Sequence, residues 1–236
     1  WNYNCEIMIL REFVELLFPR KCCVCGESLE PTEQFICAGC MSDFPFTYFW
    51  NWRENPAEEV FWGRCYIEKV ISLYYYSRDN DYSHLVRRIK YGSNIALGRY
   101  LGEMLGRFGR EILSDVEFIV PVPVHPVRLF TRGYNQSKII AEGISKGLGG
   151  LPVVTSALKR VRYSKSQTSI SMESKWENVK GSFSLGKGEQ LELLKGKHIL
   201  LVDDVLTSGA TLEVCASILI GKLGCKVSIA TLAYVE

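Results

Sequence analysis

Apolar positions along the chain change period several times, and each change predicts an element. Residues 8–18 place Leu10, Phe13, Val14 and Leu17 at i, i+3, i+4 and i+7, the spacing of a short amphipathic helix, which Pro19 ends. Residues 70–76 predict a strand. Residues 81–90 predict a helix with Leu85, Val86 and Ile89 on one face, and Leu97, Leu101, Leu105, Phe108 and Ile112 continue as a longer helical stripe. A buried strand is predicted over 118–124, where two prolines stand near its end. A helix follows over 135–148, with Ile140, Ile144 and Leu148 in line. Residues 198–202 form an almost pure apolar strand, 211–223 a helix and 226–235 a last strand. Strands alternating with helices of this length predict an α/β fold with a parallel sheet covered on both faces. There is no internal repeat and no low-complexity segment.

The segment before residue 56 has a different character. The whole chain holds nine cysteines. An odd total argues against a complete disulfide framework and for metal binding in a reducing, cytoplasmic setting. Cys22 and Cys25 form one Cys-x-x-Cys turn and Cys37 and Cys40 a second, eleven residues on. Two such turns present four thiolates to one tetrahedral zinc, and a closed four-thiolate site is structural. Cys23 competes with Cys22, but only Cys22 gives the two-residue spacing. An aromatic stretch follows, with Phe44, Phe46, Tyr48, Phe49, Trp50 and Trp52. Stacking on unpaired bases is one use for it, and core or interdomain packing is the favoured one. The polar, proline-bearing residues 53–59 set the expected boundary, with an appendage over 1–55 and a main domain over 56–236.

Bulk properties narrow the function only a little. The chain has 236 residues, 47% of them hydrophobic and 23% charged, as in an ordinary globular protein. A net charge of +2 does not by itself imply nucleic acid. No apolar run reaches the ~20 residues of a membrane-spanning helix, so no membrane insertion is expected. The first residues lack a signal-peptide layout, and the chain opens on Trp1 rather than Met, which leaves its natural start open.

The chemistry concentrates at residues 199–211, which read Ile-Leu-Leu-Val-Asp-Asp-Val-Leu-Thr-Ser-Gly-Ala-Thr. An apolar strand runs into two carboxylates, then a hydroxyl- and glycine-rich loop opens a helix. Free N–H groups and the positive dipole end of a helix N-terminus suit a phosphate. Thr207, Ser208 and Thr211 add hydroxyl donors, while Gly209 and Ala210 allow close backbone approach. Asp203 and Asp204 can accept hydrogen bonds from ribose hydroxyls. An isolated Asp pair would be read as turn capping. The whole run instead resembles the signature of type I phosphoribosyltransferases, which bind phosphoribosyl pyrophosphate (PRPP).

A second strand–loop–helix junction lies at 118–136. There Arg128 and Arg132 can pair with pyrophosphate in fork geometry, and Asn135 and Gln136 meet them at the start of a helix. Capping is the plainer role for Asn135. From Lys159 to Gln167 the chain is densely basic and leads into a polar stretch, the pattern of a lid over an anionic ligand. Of the three histidines, His198 opens a buried strand and reads as structural. His125 lies in the second loop and is a candidate for function, while His84 has no evident role.

Together these motifs resemble the ComF family. The matching residues are Phe18-Pro-Arg-Lys-Cys22, Trp62-Gly-Arg64, Lys90-Tyr-Gly92, Pro121-Val-Pro-Val-His-Pro126 and Arg132-Gly-Tyr-Asn-Gln136, then Arg162, Gln167, Asn178, Gly181, Phe183 and the 203–211 run. Two positions depart from the pattern: Ser164 replaces an expected Thr, and Lys175 replaces an expected Arg and loses its fork geometry. The resemblance implies a type I phosphoribosyltransferase-like parallel sheet flanked by helices, with a small N-terminal four-cysteine zinc ribbon. It makes 203–211 the ribose and 5′-phosphate loop, 121–136 the pyrophosphate loop and 160–179 the lid. Asp203, Asp204 and Arg162 would carry the reaction. Arg128, Arg132, Asn135, Gln136, Gln167, Thr207, Ser208, Gly209, Ala210 and Thr211 would bind PRPP. The implied cofactors are structural zinc and magnesium bound with PRPP. The implied process is DNA uptake in natural transformation, with single-stranded DNA or the helicase machinery of competence as further partners. Transfer of a phosphoribosyl group with release of pyrophosphate is the expected activity. A non-catalytic PRPP sensor or single-stranded-DNA-binding module is the alternative. Glutamine-dependent amidotransfer is disfavoured, because no glutaminase segment is visible.

Overall fold

Strands and helices alternate as the periodicity predicts. The computed structural model describes residues 19–92, 94–162 and 181–236. The helix expected over 8–18 lies outside these residues, as do Cys5, Ser164, Lys165, Gln167, Lys175 and Asn178. The strands are β1 (Val70–Tyr75), β2 (Phe118–Pro121), β3 (Leu158–Arg160), β4 (Phe183–Leu185), β5 (His198–Leu206) and β6 (Lys226–Tyr234). The helices are α1 (Ala38–Ser42), α2 (Pro56–Glu59), α3 (Ser83–Tyr91), α4 (Ile95–Phe108), α5 (Pro126–Arg132), α6 (Gln136–Gly147) and α7 (Ala210–Leu223).

The main sheet has the order β1-β6-β5-β2, and every neighbouring pair is parallel. A parallel bridge from Ile119 to Val153 extends it beyond β2. Alternate residues of the strands feed two separate apolar clusters, one on each face. Ile71, Leu73, Ile119, Leu200, Val202 and Leu232 pack with α3, α4 and α6. Val70, Val120, Ile199, Leu201, Val227 and Ile229 pack with α7. This alternation is why the strands read as nearly continuous apolar runs: a parallel sheet covered on both sides has no wet face.

Helices α4 and α6 meet without side chains between them. A Cβ added at Gly102 would sit 2.4 Å from the Ile140 carbonyl oxygen, and one at Gly143 would sit 2.3 Å from that of Arg99. The glycines set the crossing distance, and that distance places the N-terminus of α6 beside β5.

Three features differ from the expected elements. Residues 126–132, expected as loop, form helix α5, which His125 caps by accepting from the Val127 N–H at 3.2 Å. Strand β5 runs on through the Asp pair to Leu206. Arg160, expected as the first residue of a lid, is the last residue of β3, which pairs antiparallel with β4. Next to that pairing, Val161 N donates to Ser182 O at 2.8 Å.

The cysteine segment is packed onto the main domain. Cys22, Cys23, Ile36 and Phe44 belong to the same apolar cluster as β1, α3 and α4. The Tyr82 hydroxyl donates to the Cys40 carbonyl at 2.8 Å, and Phe35 lies 5.2 Å from Tyr100. The aromatic stretch packs as well: Phe44 and Phe49 are buried, and Trp50 stacks on Phe108 at 4.9 Å.

Candidate functional site

Chain connections leave the carboxyl ends of β2 and β5 in opposite directions. From β2 the chain passes through α5 and α6 to Val153, on the outer side of β2. From β5 it passes through α7 to β6, away from β2. Neighbouring parallel strands with diverging connections leave a crevice between their carboxyl ends, where ligands of open α/β sheets bind. A cavity of about 890 Å³ occupies that crevice. Among the described residues its lining includes Asp203, Asp204 and Thr211 from β5 and α7, and Arg128, Arg132 and Gln136 from the second loop. Lys90, Tyr91, Ser137 and Arg160 complete the polar wall.

Each carboxylate is held. Asp203 Oδ1 accepts from the Ser137 hydroxyl and from the Asp204 N–H, both at 2.9 Å. Lys90 Nζ lies 3.1 Å from Asp204 Oδ2, an ion pair in which the carboxylate side chain is only 8% exposed. Burial, and then the Asp204 charge, push the Asp203 carboxyl up to about 7, while its two hydrogen bonds and Lys90 act the other way. Ligand hydroxyls donating to it would favour the ionised form.

The cations lie around this pair. Arg132 donates to the Gln136 side-chain oxygen, and its guanidinium lies over the Tyr91 ring, 5.3 Å from the centroid. Arg160 stands over the Phe183 ring at 5.1 Å. Burial and the neighbouring Arg128 push its guanidinium below the ordinary range, and Asp203 acts in the opposite sense. Four cations (Lys90, Arg128, Arg132 and Arg160) against two carboxylates leave the cavity suited to a strongly anionic ligand that also carries hydroxyls.

The phosphate loop is braced from behind. Gly209 is left-handed (φ 71°), and a Cβ there would sit 2.7 Å from Val60 Cγ1. Arg64 donates to the Ser208 carbonyl at 3.0 Å and pairs with Glu213 in the first turn of α7. This is the work of the Trp62-Gly-Arg64 motif. Thr211 lines the cavity, Thr207 is exposed and Ser208 half-buried. Asn135 spends its amide locally: Oδ1 caps α6 through the Ser137 N–H, and Nδ2 donates to the Val122 carbonyl at 3.0 Å. Arg162 is exposed and lies beside Gly181, outside the cavity lining. Gln167 falls outside the described residues.

Sequence reasoning did not find Lys90, Ser137 or Arg160 as cavity residues. Lys90 carried a signal in the Lys-Tyr-Gly motif, without a role. Ser137 carried none. Arg160 was submerged in a basic run.

At the knuckle, the sulfurs of Cys22, Cys25, Cys37 and Cys40 all lie within 4.8 Å of one another. Cys25 and Cys37 are 3.7 Å apart, and tetrahedral zinc with bonds of about 2.3 Å needs sulfurs about 3.8 Å apart. The donor set fits zinc. Burial pushes the Cys22 thiol up, but the N–H groups of Cys37, Cys25 and Val24 outweigh it and bring it down to about 6, toward the metal-binding thiolate. Cys23 is buried outside the cluster, with the Asn94 amide 3.9 Å from its sulfur.

A Ser–His–Asp chain lies at the opposite end of the sheet. The His198 Nε2 is 2.8 Å from Ser228 Oγ and its Nδ1 is 3.1 Å from Asp115. Ser228 is fully buried, so no substrate reaches it and the chain is structural.

The fold and the crevice define a phosphoribosyltransferase-like domain, and a family model described as phosphoribosyl transferase domain matches residues 135–236. The chain is 27% identical to competence protein F of Haemophilus influenzae over 224 residues, 88% of this chain and 93% of that protein. It is 33% identical to the DNA utilization protein YhgH of Escherichia coli over 103 residues, 43% of this chain and 42% of that protein, and matches the same-named protein of Salmonella typhi equally. The resemblance to the ComF family therefore holds, and the similarity to competence protein F spans most of the chain. Among the described residues, no helix is long and apolar enough to cross a membrane.

Proposed function

We propose that the crevice binds PRPP with magnesium and transfers its phosphoribosyl group to an acceptor, releasing pyrophosphate. The observation that carries this reading is the meeting of Asp203 and Asp204 with Arg128, Arg132, Arg160 and Lys90 between the carboxyl ends of β2 and β5. The carboxylates accept from the ribose hydroxyls and face the positive charge that develops on the sugar as the anomeric bond to pyrophosphate breaks. The N-terminus of α7 with Thr211 receives the 5′-phosphate. Arg128, Arg132 and Arg160 meet the pyrophosphate. Asp203 and Asp204, together with the oxygens of the ligand, would hold magnesium, which when bound would supply positive charge to the leaving group. Arg162 and Gln167 belong to the lid of this proposal, which springs from the β3–β4 stem and keeps water from the anomeric centre. After the names of the relatives, we place the activity in competence and DNA use, in the cytoplasm.

Calorimetry of PRPP with and without magnesium, followed by a pyrophosphate-release assay over an acceptor panel, tests the proposal. Binding should require magnesium, and Asp203→Asn and Asp204→Asn should each weaken it by about 1.5–3 kcal/mol. Arg162→Ala should lower turnover more than PRPP affinity, because its contact forms on closure. PRPP binding with no acceptor ever yielding pyrophosphate would leave the sensor reading. Unaltered affinity in both Asp variants would remove the site.

A further inference from the structure

Helix α3 carries three faces of different chemistry. Leu85, Val86 and Ile89 are buried in the core. Lys90 turns to Asp204. His84, Arg87, Arg88 and Tyr91 fall at i, i+3, i+4 and i+7, the spacing that makes an apolar stripe when a helix face is covered by its own domain. Here the stripe is polar and exposed, and the Tyr91 ring is 79% exposed. It forms one wall of a second cavity, about 540 Å³, whose other wall is Val24, Cys25 and Gly26 of the knuckle. Among the described residues no carboxylate lines this cleft, and neither arginine of the stripe has an ion-pair partner. Tyr91 lines both cavities, so the cleft adjoins the crevice above the Asp pair.

The following step rests on the PRPP reading. The donor's phosphates occupy Arg128, Arg132 and Arg160, so an acceptor that is itself anionic needs cations elsewhere, within reach of the anomeric carbon. We infer that the cleft between the knuckle and α3 anchors the acceptor, and that the acceptor is a small planar molecule bearing a carboxylate or phosphate. Arg87 and Arg88 pair with the anion, Tyr91 offers its ring face to the planar part, and the volume suits a mononucleotide or something smaller. The acceptor's nucleophilic atom bonds to the anomeric carbon as the carbon–oxygen bond to pyrophosphate breaks. Pyrophosphate leaves with that electron pair and the acceptor's proton goes to solvent. The knuckle then has a task beyond stability, because its 24–26 turn is the opposite wall of the substrate cleft.

The test is calorimetry on the full chain, loaded with zinc and magnesium and saturated with PRPP. The probes are orotate, anthranilate and AMP, with uracil, aniline and adenosine as uncharged counterparts. At least one anion should bind, its uncharged counterpart should not, and R87Q/R88Q should weaken the anion by about tenfold or more. PRPP affinity and zinc content of that variant should match the wild type. The inference is overturned if the uncharged compounds bind equally, if no anion binds, or if the variant binds the anion unchanged. Loss of zinc from the variant would assign the arginines to the knuckle instead. Binding of a thymidine oligonucleotide alone, lost in the same variant, would replace the small acceptor with a nucleic-acid strand. PRPP binding without anion binding sinks this inference only, whereas failure of the wild type to bind PRPP sinks the donor site as well.

Discussion

Lys90→Met removes one charge and keeps most of the side-chain stem, and its cost can be worked from the geometry. Lys90 Nζ and Asp204 Oδ2 are 3.1 Å apart, which at an effective dielectric constant of about 20 is an attraction of about 5 kcal/mol. The lysine side chain is 26% exposed, so water weakens that figure, and removing one partner of a largely buried pair typically costs about 3–5 kcal/mol. The expected loss is therefore about 2–4 kcal/mol.

Urea unfolding of Lys90→Met at pH 7 reads this directly. Because the two groups act as a pair, Asp204→Asn in the same background should return most of the loss, and the double-mutant cycle should give a coupling of at least about 1 kcal/mol. A loss under about 0.5 kcal/mol would refute the ion pair as a structural feature of the crevice.

The other predictions concern separate parts of the molecule. Asp203 titrates near 7 in the folded protein, above its unfolded value near 4. The native state thus binds the extra proton between those limits, and its contribution is complete below about pH 4 and lost as pH rises through 7. Asp203→Asn should flatten that part of the stability profile, and an unchanged slope would refute the assignment. Gly143→Ala drives a Cβ to 2.3 Å from the Arg99 carbonyl and should cost about 2–3 kcal/mol in chemical denaturation. Gly221→Ala in α7 meets nothing within 4 Å and should stabilise by about 0.5–1 kcal/mol. Metal analysis should find about one zinc per chain. Cys25→Ser should loosen the knuckle in hydrogen exchange and leave the main sheet protected, and a metal-free wild type with an ordered knuckle would refute the zinc.

What the sequence disclosed was whatever one segment carries by itself. The strand of residues 198–202, the acidic pair and the helix after Thr207 are local in the chain, and the structure keeps their order while carrying the strand through the pair to Leu206. The two Cys-x-x-Cys turns are legible in the same way, and the structure brings their four sulfurs together. Lys90 is different. It lies on a helix over a hundred residues before Asp204, and nothing near it in sequence says that α3 brings its last turn to the end of β5. Ser137 acquires its role only because the glycines of α4 and α6 let those helices close, which sets the first turn of α6 against Asp203. Arg160 misled because a basic run reads as loop, whereas β3 and β4 pair over only three residues each, too few for period-two alternation to register.

These late-arriving residues share one physical task, which bears on how the crevice is maintained. Two adjacent carboxylates at a strand end repel each other and are costly to bury. The segments around 203–204 supply a hydroxyl from α6, an ammonium from α3 and a guanidinium from β3. Three elements distant in sequence thus converge on one unfavourable pair. A carboxylate pair serving only as a turn cap would need no such support. The expenditure of a core serine and a half-buried lysine is what a site must make if it is to present negative charge to ribose hydroxyls before the ligand arrives. Ser137→Ala tests this without touching the ligand. It removes one hydrogen bond to the ionised Asp203, so the Asp203 titration should move up from about 7 in carboxyl-resolved NMR. An unmoved titration would mean that the serine supports α6 rather than the charge.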